Sequence, residues 1–311
     1  MKDLTIKDLA QKESKFLSGH RACAGCAFPI IVKTILASTD KKIVVCAATG
    51  CLEVVSTVYP YSAWNVPFIH NAFENAGATI SGIESAFKAL KKKNPSLKKE
   101  DIKFIAFAGD GGSYDIGLQS LSGALERGHD ILFVVYDNEA YMNTGIQRSS
   151  STPFGTATTT TPDGKIHHGK EEIKKNLMEI VIAHNISYAA QAAVHDLEDL
   201  SRKAKKAFET KGPTFLNVLS PCNLGWKHPP NMTITISKLA TETNIWPLYE
   251  YENGNYKINY QPPADKKVES YLRLQGRFKH LFKPENKLLL EKIQDYTNKE
   301  FEKLKKLTKL N

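Results

Sequence analysis

Short apolar runs alternate with longer amphipathic stretches along the first two thirds of the chain. "KIVVCAATG" (42–50), "IKFIAFA" (102–108), "DILFVVYD" (130–137), "SYAAQAAV" (187–194) and "PTFLNVLS" (213–220) are brief and apolar, the signature of strands buried on both faces. Between them lie stretches that predict helices: "FPIIVKTILAS" (28–38), "FENAGATISGIESAFKALK" (73–91), "LQSLSGALERG" (118–128), "EEIKKNLMEIVIAHN" (171–185) and "DLEDLSRKAKKAFETKG" (196–212). Pro29 in a first turn, lysines crowding the end of 73–91, Asp196 at a start and Gly212 at an end are the matching boundary signals. Strand, helix and strand joined by short links imply parallel βαβ units. Residues 20–222 therefore read as one doubly wound α/β domain.

Two segments break the rhythm. Residues 149–170, "SSSTPFGTATTTTPDGKIHHGK", form a Ser/Thr-rich loop, and a loop of that length inside a compact domain is functional or mobile. Beyond residue 235 the chain is aromatic and contains prolines, without βαβ alternation, until a helix from Pro284 places Ile293, Tyr296, Leu304 and Leu307 on one face. The expected division is 1–235, an α/β domain, and 236–311, a C-terminal extension that packs on the core or on a partner subunit.

Composition changes this picture little. Apolar residues make up 41% and charged residues 24% of 311, ordinary for a globular protein. No apolar run reaches the roughly 20 residues of a membrane helix, and the charged start "MKDLTIKDLAQKESKF" lacks the apolar core of a signal peptide, so the expectation is a cytoplasmic protein. The net charge of +9 raises nucleic-acid binding. Its lysines, however, lie in dispersed groups mixed with acids, with no basic stripe interleaved with aromatics. A solvated lysine-rich surface is the better reading, and attraction to an acidic partner is a weaker one.

The first chemical constellation is "GDG" at 109–111, at the carboxyl end of a predicted strand, where open α/β sheets bind ligands. Glycines let a backbone approach phosphate, and Asp110 is a hard oxygen ligand suited to Mg²⁺. Twenty-six residues separate Gly111 from Asn138, which ends the next predicted strand. One helical crossover would bring Asp110 and Asn138 to the same sheet edge, where a carboxylate and an amide oxygen could share a cation. The spacing resembles the thiamine diphosphate-binding motif. That resemblance implies that the carbonyl of Ala140 joins Asp110 and Asn138 on Mg²⁺.

The second constellation is cysteine. Cys23 and Cys26 form a CxxC pair, and Cys51 and Cys222 each follow a predicted strand, so all four could converge on the ligand edge of one sheet. Four thiolates suit zinc or a [4Fe–4S] cluster, and the spacing does not choose between them. Cys46, inside an apolar strand, reads as a buried small hydrophobe.

Taken together, "HRACAGC", "ATGCLEV", "PFIHNAFENAG", "GDGGSYDIGLQSLSGALERGHDI" and "YDNEAYMNTGIQRSSSTP" resemble the β subunits of 2-oxoacid:ferredoxin oxidoreductases, over about residues 15–235, with the pyruvate-type enzymes (pyruvate synthases) most similar. "VESYLRLQGRFKHL" in the extension matches that type as well. The resemblance implies a doubly wound, mostly parallel sheet of thiamine-diphosphate-binding type. It implies that Cys23, Cys26, Cys51 and Cys222 bind a [4Fe–4S] cluster, that Asp110, Asn138 and Ala140 bind Mg²⁺, and that Gly109 and Gly111 line the diphosphate. Asn143 would face the substrate, Thr144 and Gly145 would continue its loop, and His70 and Asn71 fall in a family motif. The implied reaction converts pyruvate and coenzyme A to acetyl-CoA and CO₂ reversibly, with electrons passed to ferredoxin, in a heterotetramer with α, γ and δ subunits. The glutamate that activates thiamine would come from another subunit, so this chain would be inactive alone. The alternatives are the same reaction on a branched-chain 2-oxoacid, 2-oxoglutarate or oxalate, a non-redox thiamine enzyme with structural zinc, and a basic non-enzymatic module with a zinc knuckle.

Overall fold

A computed structural model describes residues 4–262 and 266–309. Its strands are β1 (Lys42–Ala48), β2 (Phe68–Asn71), β3 (Ile102–Gly109), β4 (Ile131–Asp137), β5 (Tyr188–Ala193), β6 (Thr214–Leu219), β7 (Tyr249–Glu252) and β8 (Asn255–Ile258). They form one sheet in the order β2-β1-β3-β4-β6-β5-β7-β8; the first six pair in parallel, and β7 and β8 are antiparallel additions at one edge. Every residue of β4 and of β6 is buried, which explains why these strands read as unbroken apolar runs rather than as alternating ones.

Alternation along the strands sorts side chains onto two faces. Val45, Ala47, Ile105, Phe107 and Val134 pack with the helices Phe28–Ala37 and Leu197–Glu209. Cys46, Ala106, Ala108, Phe133 and Val135 pack on the other face with Ala76–Lys93, Leu118–Glu126 and Leu177–Ile182. Phe301 and Leu304 of the long terminal helix Lys287–Lys309 join this second layer, so the last part of the chain covers a face of the core. The architecture is the doubly wound, mostly parallel α/β fold expected from the sequence.

Three local differences have physical causes. The helix expected over 171–185 begins only at Leu177, capped by Asn176, whose side chain accepts from the Glu179 amide at 3.2 Å. The preceding residues leave helical geometry because Lys174 and Lys175 turn inward, Lys174 to Asp137 and Glu139 and Lys175 to the Tyr114 carbonyl. β2 is a four-residue, half-exposed edge strand with no apolar run to announce it. β7 and β8 form a hairpin turning on Asn253 and Gly254, both at positive φ (47° and 94°), as an Asn-Gly turn prefers.

Strand order decides where a ligand fits. The chain leaves β1 toward β2 on one side and leaves β3 toward β4 on the other. The crevice beyond the carboxyl ends of β1 and β3 is therefore the topological switch point, the usual ligand site of an open α/β sheet.

Candidate active site

That crevice is lined by the segment after β1 (Thr49, Gly50, Cys51), the turn after β3 (Gly109 to Gly112) and the end of β4 with its following loop. The chain leaves β3 through an i→i+5 turn closed by the Ile116 amide on the Gly111 carbonyl at 3.2 Å. Such widened turns recur at functional sites. Gly111 is required here, because a Cβ at that position would overlap the ring of Tyr141.

Asp110, Asn138 and Ala140 are all buried at the floor. The side-chain amide of Asn138 stands 2.8 Å from the Ala140 carbonyl oxygen and 2.9 Å from Asp110 Oδ1. With its nitrogen on that side, the amide donates to both oxygens. With its oxygen there, three oxygens (carboxylate, amide and carbonyl) face one another, an arrangement that a small hard cation satisfies. The Asp110 carboxyl is held well above the usual carboxylate range by burial and by the nearby charge of Asp137, and the Ser149 hydroxyl opposes this by donating to it. A carboxyl so placed gains from a cation beside it. This donor set and the glycine-lined turn fit Mg²⁺ carrying a diphosphate.

The floor is braced from behind. Glu139, between the two β4-side oxygen donors, has φ = +64°, the left-handed region that a non-glycine residue seldom occupies. It is fully buried and locked by Arg277 Nη2 at 2.5 Å and Lys174 Nζ at 3.2 Å. These cations and their hydrogen bonds hold its carboxyl below the ordinary range despite burial. Asp137 accepts from the Tyr114 hydroxyl at 2.8 Å and the Ser151 hydroxyl at 2.6 Å, and Thr152 Oγ1 donates to the Glu139 carbonyl at 2.6 Å. The indole of Trp226 donates to the Asn138 carbonyl at 2.7 Å, and the Arg277 guanidinium stacks 3.9 Å above that indole.

Asn143 and Thr144 line the mouth of the crevice on an exposed loop. The Tyr141 amide closes that loop on the Gln147 carbonyl at 2.9 Å, and the Ile146 amide on the Tyr141 carbonyl at 2.9 Å. Gly145, the next residue, is outside the lining and has φ = +117°. His70 lies at the end of β2, exposed, with Nδ1 3.7 Å from Glu53, and the Asn71 side chain donates to Thr79. Both read as structural.

The cysteines gather beside the same crevice. Cys51 opens the short helix after β1, Cys222 follows β6, and Cys23 and Cys26 share a turn closed by the Cys26 amide on the Cys23 carbonyl at 3.0 Å. Gly25 within that turn has φ = +79°, and a Cβ there would stand 2.5 Å from the Pro230 carbonyl oxygen. Thr233 Oγ1 donates to the Gly25 carbonyl at 2.6 Å. The CxxC turn is thus seated on the segment that follows Cys222.

Burial raises the Cys26 thiol, and Cys222, Cys51 and Cys23 raise it further through their charge. Cys51 is pushed to about 12 by burial, then by Cys222, Cys23 and Asp110. Cys222 is raised by burial, while the Gly225 and Leu224 amides pull it down. The charges of these thiols thus act on one another. Among the described residues no group of three or more His, Cys, Asp or Glu is arranged to hold a metal ion. Cys46 is different: burial alone raises it to about 12, and it lies on the opposite face of the sheet.

The structure thus brings the Gly-Asp-Gly turn, Asn138, Ala140 and Asn143 together with Cys51 in one crevice. The sequence reading missed Ser149, Ser151, Thr152, Trp226, Glu139 and Arg277, which hold these groups in place. A run of hydroxyl residues so soon after Asn138 was the available signal for the first three.

Comparison with known proteins agrees with this geometry. Residues 48–218 match the family model of the thiamine pyrophosphate enzyme C-terminal TPP binding domain. The chain is 52% identical over 285 residues to pyruvate synthase subunit PorB of Methanocaldococcus jannaschii, covering 92% of this chain and 94% of that one. It is 51% identical to the Thermotoga maritima subunit of the same name, covering 97% and 95%. Ketoisovalerate oxidoreductase subunit VorB of Pyrococcus abyssi is 48% identical over 96% of this chain and 94% of its own. Among solved structures, 2-oxoglutarate:ferredoxin oxidoreductase from Magnetococcus marinus shares the fold, with TM-score 0.55 and 22% identity over 68% of this chain and 69% of that one.

Proposed function

The chain belongs to the β-subunit family of 2-oxoacid:ferredoxin oxidoreductases, with a thiamine pyrophosphate-binding domain at its centre, and on that premise we propose that it carries the thiamine and electron-transfer site of a pyruvate:ferredoxin oxidoreductase. The overall reaction joins pyruvate and coenzyme A to give acetyl-CoA and CO₂, with two electrons delivered to ferredoxin, and runs in reverse as pyruvate synthesis. The α, γ and δ subunits complete the enzyme. The exposed Tyr59, Tyr61 and Ile69, beside the open edge of β2, offer apolar surface for such contacts.

When bound, thiamine diphosphate supplies an electron sink for decarboxylating a 2-oxoacid, and a [4Fe–4S] cluster supplies a low-potential one-electron acceptor. The chain's own residues do the rest. Asp110, Asn138 and the Ala140 carbonyl would hold Mg²⁺, and Gly109 and Gly111 leave room for a diphosphate. Trp226, Arg277 and Glu139 fix the backbone that presents Asn138 and Ala140. Asn143 and Thr144 stand on an exposed loop, open to substrate and to a neighbouring subunit. Cys23, Cys26, Cys51 and Cys222 would hold the cluster. The charges of Cys222, Cys51 and Cys23 all reach Cys26, which supports one group shared by the four.

The reading is carried by one juxtaposition: the three-oxygen floor and Cys51 line the same crevice, and Cys51 feels the charge of Cys222 and Cys23. Anaerobic isolation of the complex, iron and thiamine analysis, and 2-oxoacid-dependent viologen reduction with coenzyme A test it. Pyruvate is expected to give the highest kcat/KM. Preference for a branched-chain 2-oxoacid would move the assignment to the ketoisovalerate type, which the Pyrococcus relative represents. A colourless complex without iron would overturn the electron-transfer role.

A further inference from the structure

Tyr136, one residue before the end of β4, carries a hydroxyl that the fold buries and leaves unused. The side chain is 2% exposed, and its hydroxyl proton has no acceptor among the described residues, the Leu52 amide pointing only at its oxygen. Leaving a buried hydroxyl unpaired is destabilising, so such groups are retained where something else partners them. The surroundings show where that partner belongs. The ring packs against Phe28, with centroids 5.8 Å apart, on the side of the sheet where Cys26 and Cys51 lie. Its tip borders the crevice, and a Cβ on Gly50 would stand 3.0 Å from the hydroxyl oxygen. The glycine before Cys51 therefore leaves that hydroxyl an open line.

The hydroxyl thus lies beside Gly50, the residue before Cys51, on the face of the sheet against which Cys26 and Cys51 pack. A phenol is a poor occupant for that position unless its proton has an acceptor, and thiolates together with inorganic sulfide supply several.

We propose that Tyr136 is a positioning and tuning residue whose hydroxyl donates a hydrogen bond to a sulfur of the group held by Cys23, Cys26, Cys51 and Cys222, on the side facing the thiamine floor. This rests on the cluster reading above. A hydrogen bond to sulfur stabilises the more negative, reduced state and raises the reduction potential. The tyrosine thereby makes the cluster a better acceptor for electrons arriving from the crevice.

The test is a potentiometric titration, followed by electron paramagnetic resonance, of the full chain isolated anaerobically, as wild type and as Tyr136→Phe. Phenylalanine keeps the ring and its packing on Phe28 and removes only the donor. The expected result is equal iron content, equal affinity for thiamine diphosphate with Mg²⁺, and a reduction potential shifted to a more negative value. Unchanged potential with weakened thiamine diphosphate binding would overturn the proposal and give the hydroxyl to the diphosphate. Unchanged potential and unchanged affinity would overturn it outright. Wild-type chain without iron would sink the cluster reading itself, a result distinct from a loaded cluster that ignores the substitution.

Discussion

The two halves of the crevice are built in opposite ways. The oxygen floor is made from the ends of two adjacent central strands, and nearly every group around it is buried and bonded: Ser149 to Asp110, Trp226 to Asn138, Thr152 and Arg277 to Glu139. The thiol side is made from three segments far apart in sequence, and its cysteines range from half-buried to exposed. Cys222 accepts from the Gly225 amide at 3.4 Å, and the CxxC turn is seated on Pro230 and Thr233 through Gly25. The floor is organised before any cofactor arrives. On the proposed reading the thiol side would draw its cohesion from the group it holds, as structural metal sites do.

The sharpest way to break this comparison is to remove one element from each half. Asp110→Ala should abolish binding of thiamine diphosphate with Mg²⁺ while iron content stays at the wild-type level, read by calorimetry and iron analysis on the same sample. Loss of iron with thiamine binding retained would reverse the two assignments. Cys222→Ala should lose most of the iron, whereas Cys46→Ala should keep all of it, since Cys46 faces the other side of the sheet. Equal losses would mean that the fourth ligand is misassigned.

Arg277→Met tests the bracing of the floor. It leaves the Glu139 carboxylate buried with Lys174 as its remaining cation, and breaking a buried pair in this way costs about 3–5 kcal/mol. Denaturant unfolding should show that loss, and affinity for thiamine diphosphate should fall more than iron content does. The smallest expected change is Ser149→Ala, which removes one hydrogen bond to a carboxylate, worth about 1.5–3 kcal/mol. It should weaken thiamine diphosphate binding and leave the potential of the thiol-held group unmoved.

The same contrast separates what could be read in the sequence from what could not. β1, β3, β4, β5 and β6 were legible because burial on both faces makes a strand a continuous apolar run. Asp110 and Asn138 were legible because neighbouring parallel strands bring equivalent ends together, so spacing along the chain translates into distance. Trp226 and Arg277 were not, since no local pattern encodes an indole 88 residues from the carbonyl it bonds or a guanidinium 138 residues from its carboxylate. Helical periodicity was overruled at Lys174 and Lys175 by three acceptors on other segments, Asp137 and Glu139 for Lys174 and the Tyr114 carbonyl for Lys175. The β7–β8 hairpin did carry its signal, Asn253-Gly254 between alternating tyrosines. Its antiparallel pairing lies outside the βαβ alternation by which the core strands are read.

The seating of Gly25 on Pro230 has a consequence in time. Cys23 and Cys26 are synthesised some two hundred residues before Pro230 and Thr233, which shape their turn. Their turn is therefore shaped only once that later segment has been made and folds beneath it. On the proposed reading, a group held by all four cysteines would be completed after this segment emerges rather than early in synthesis.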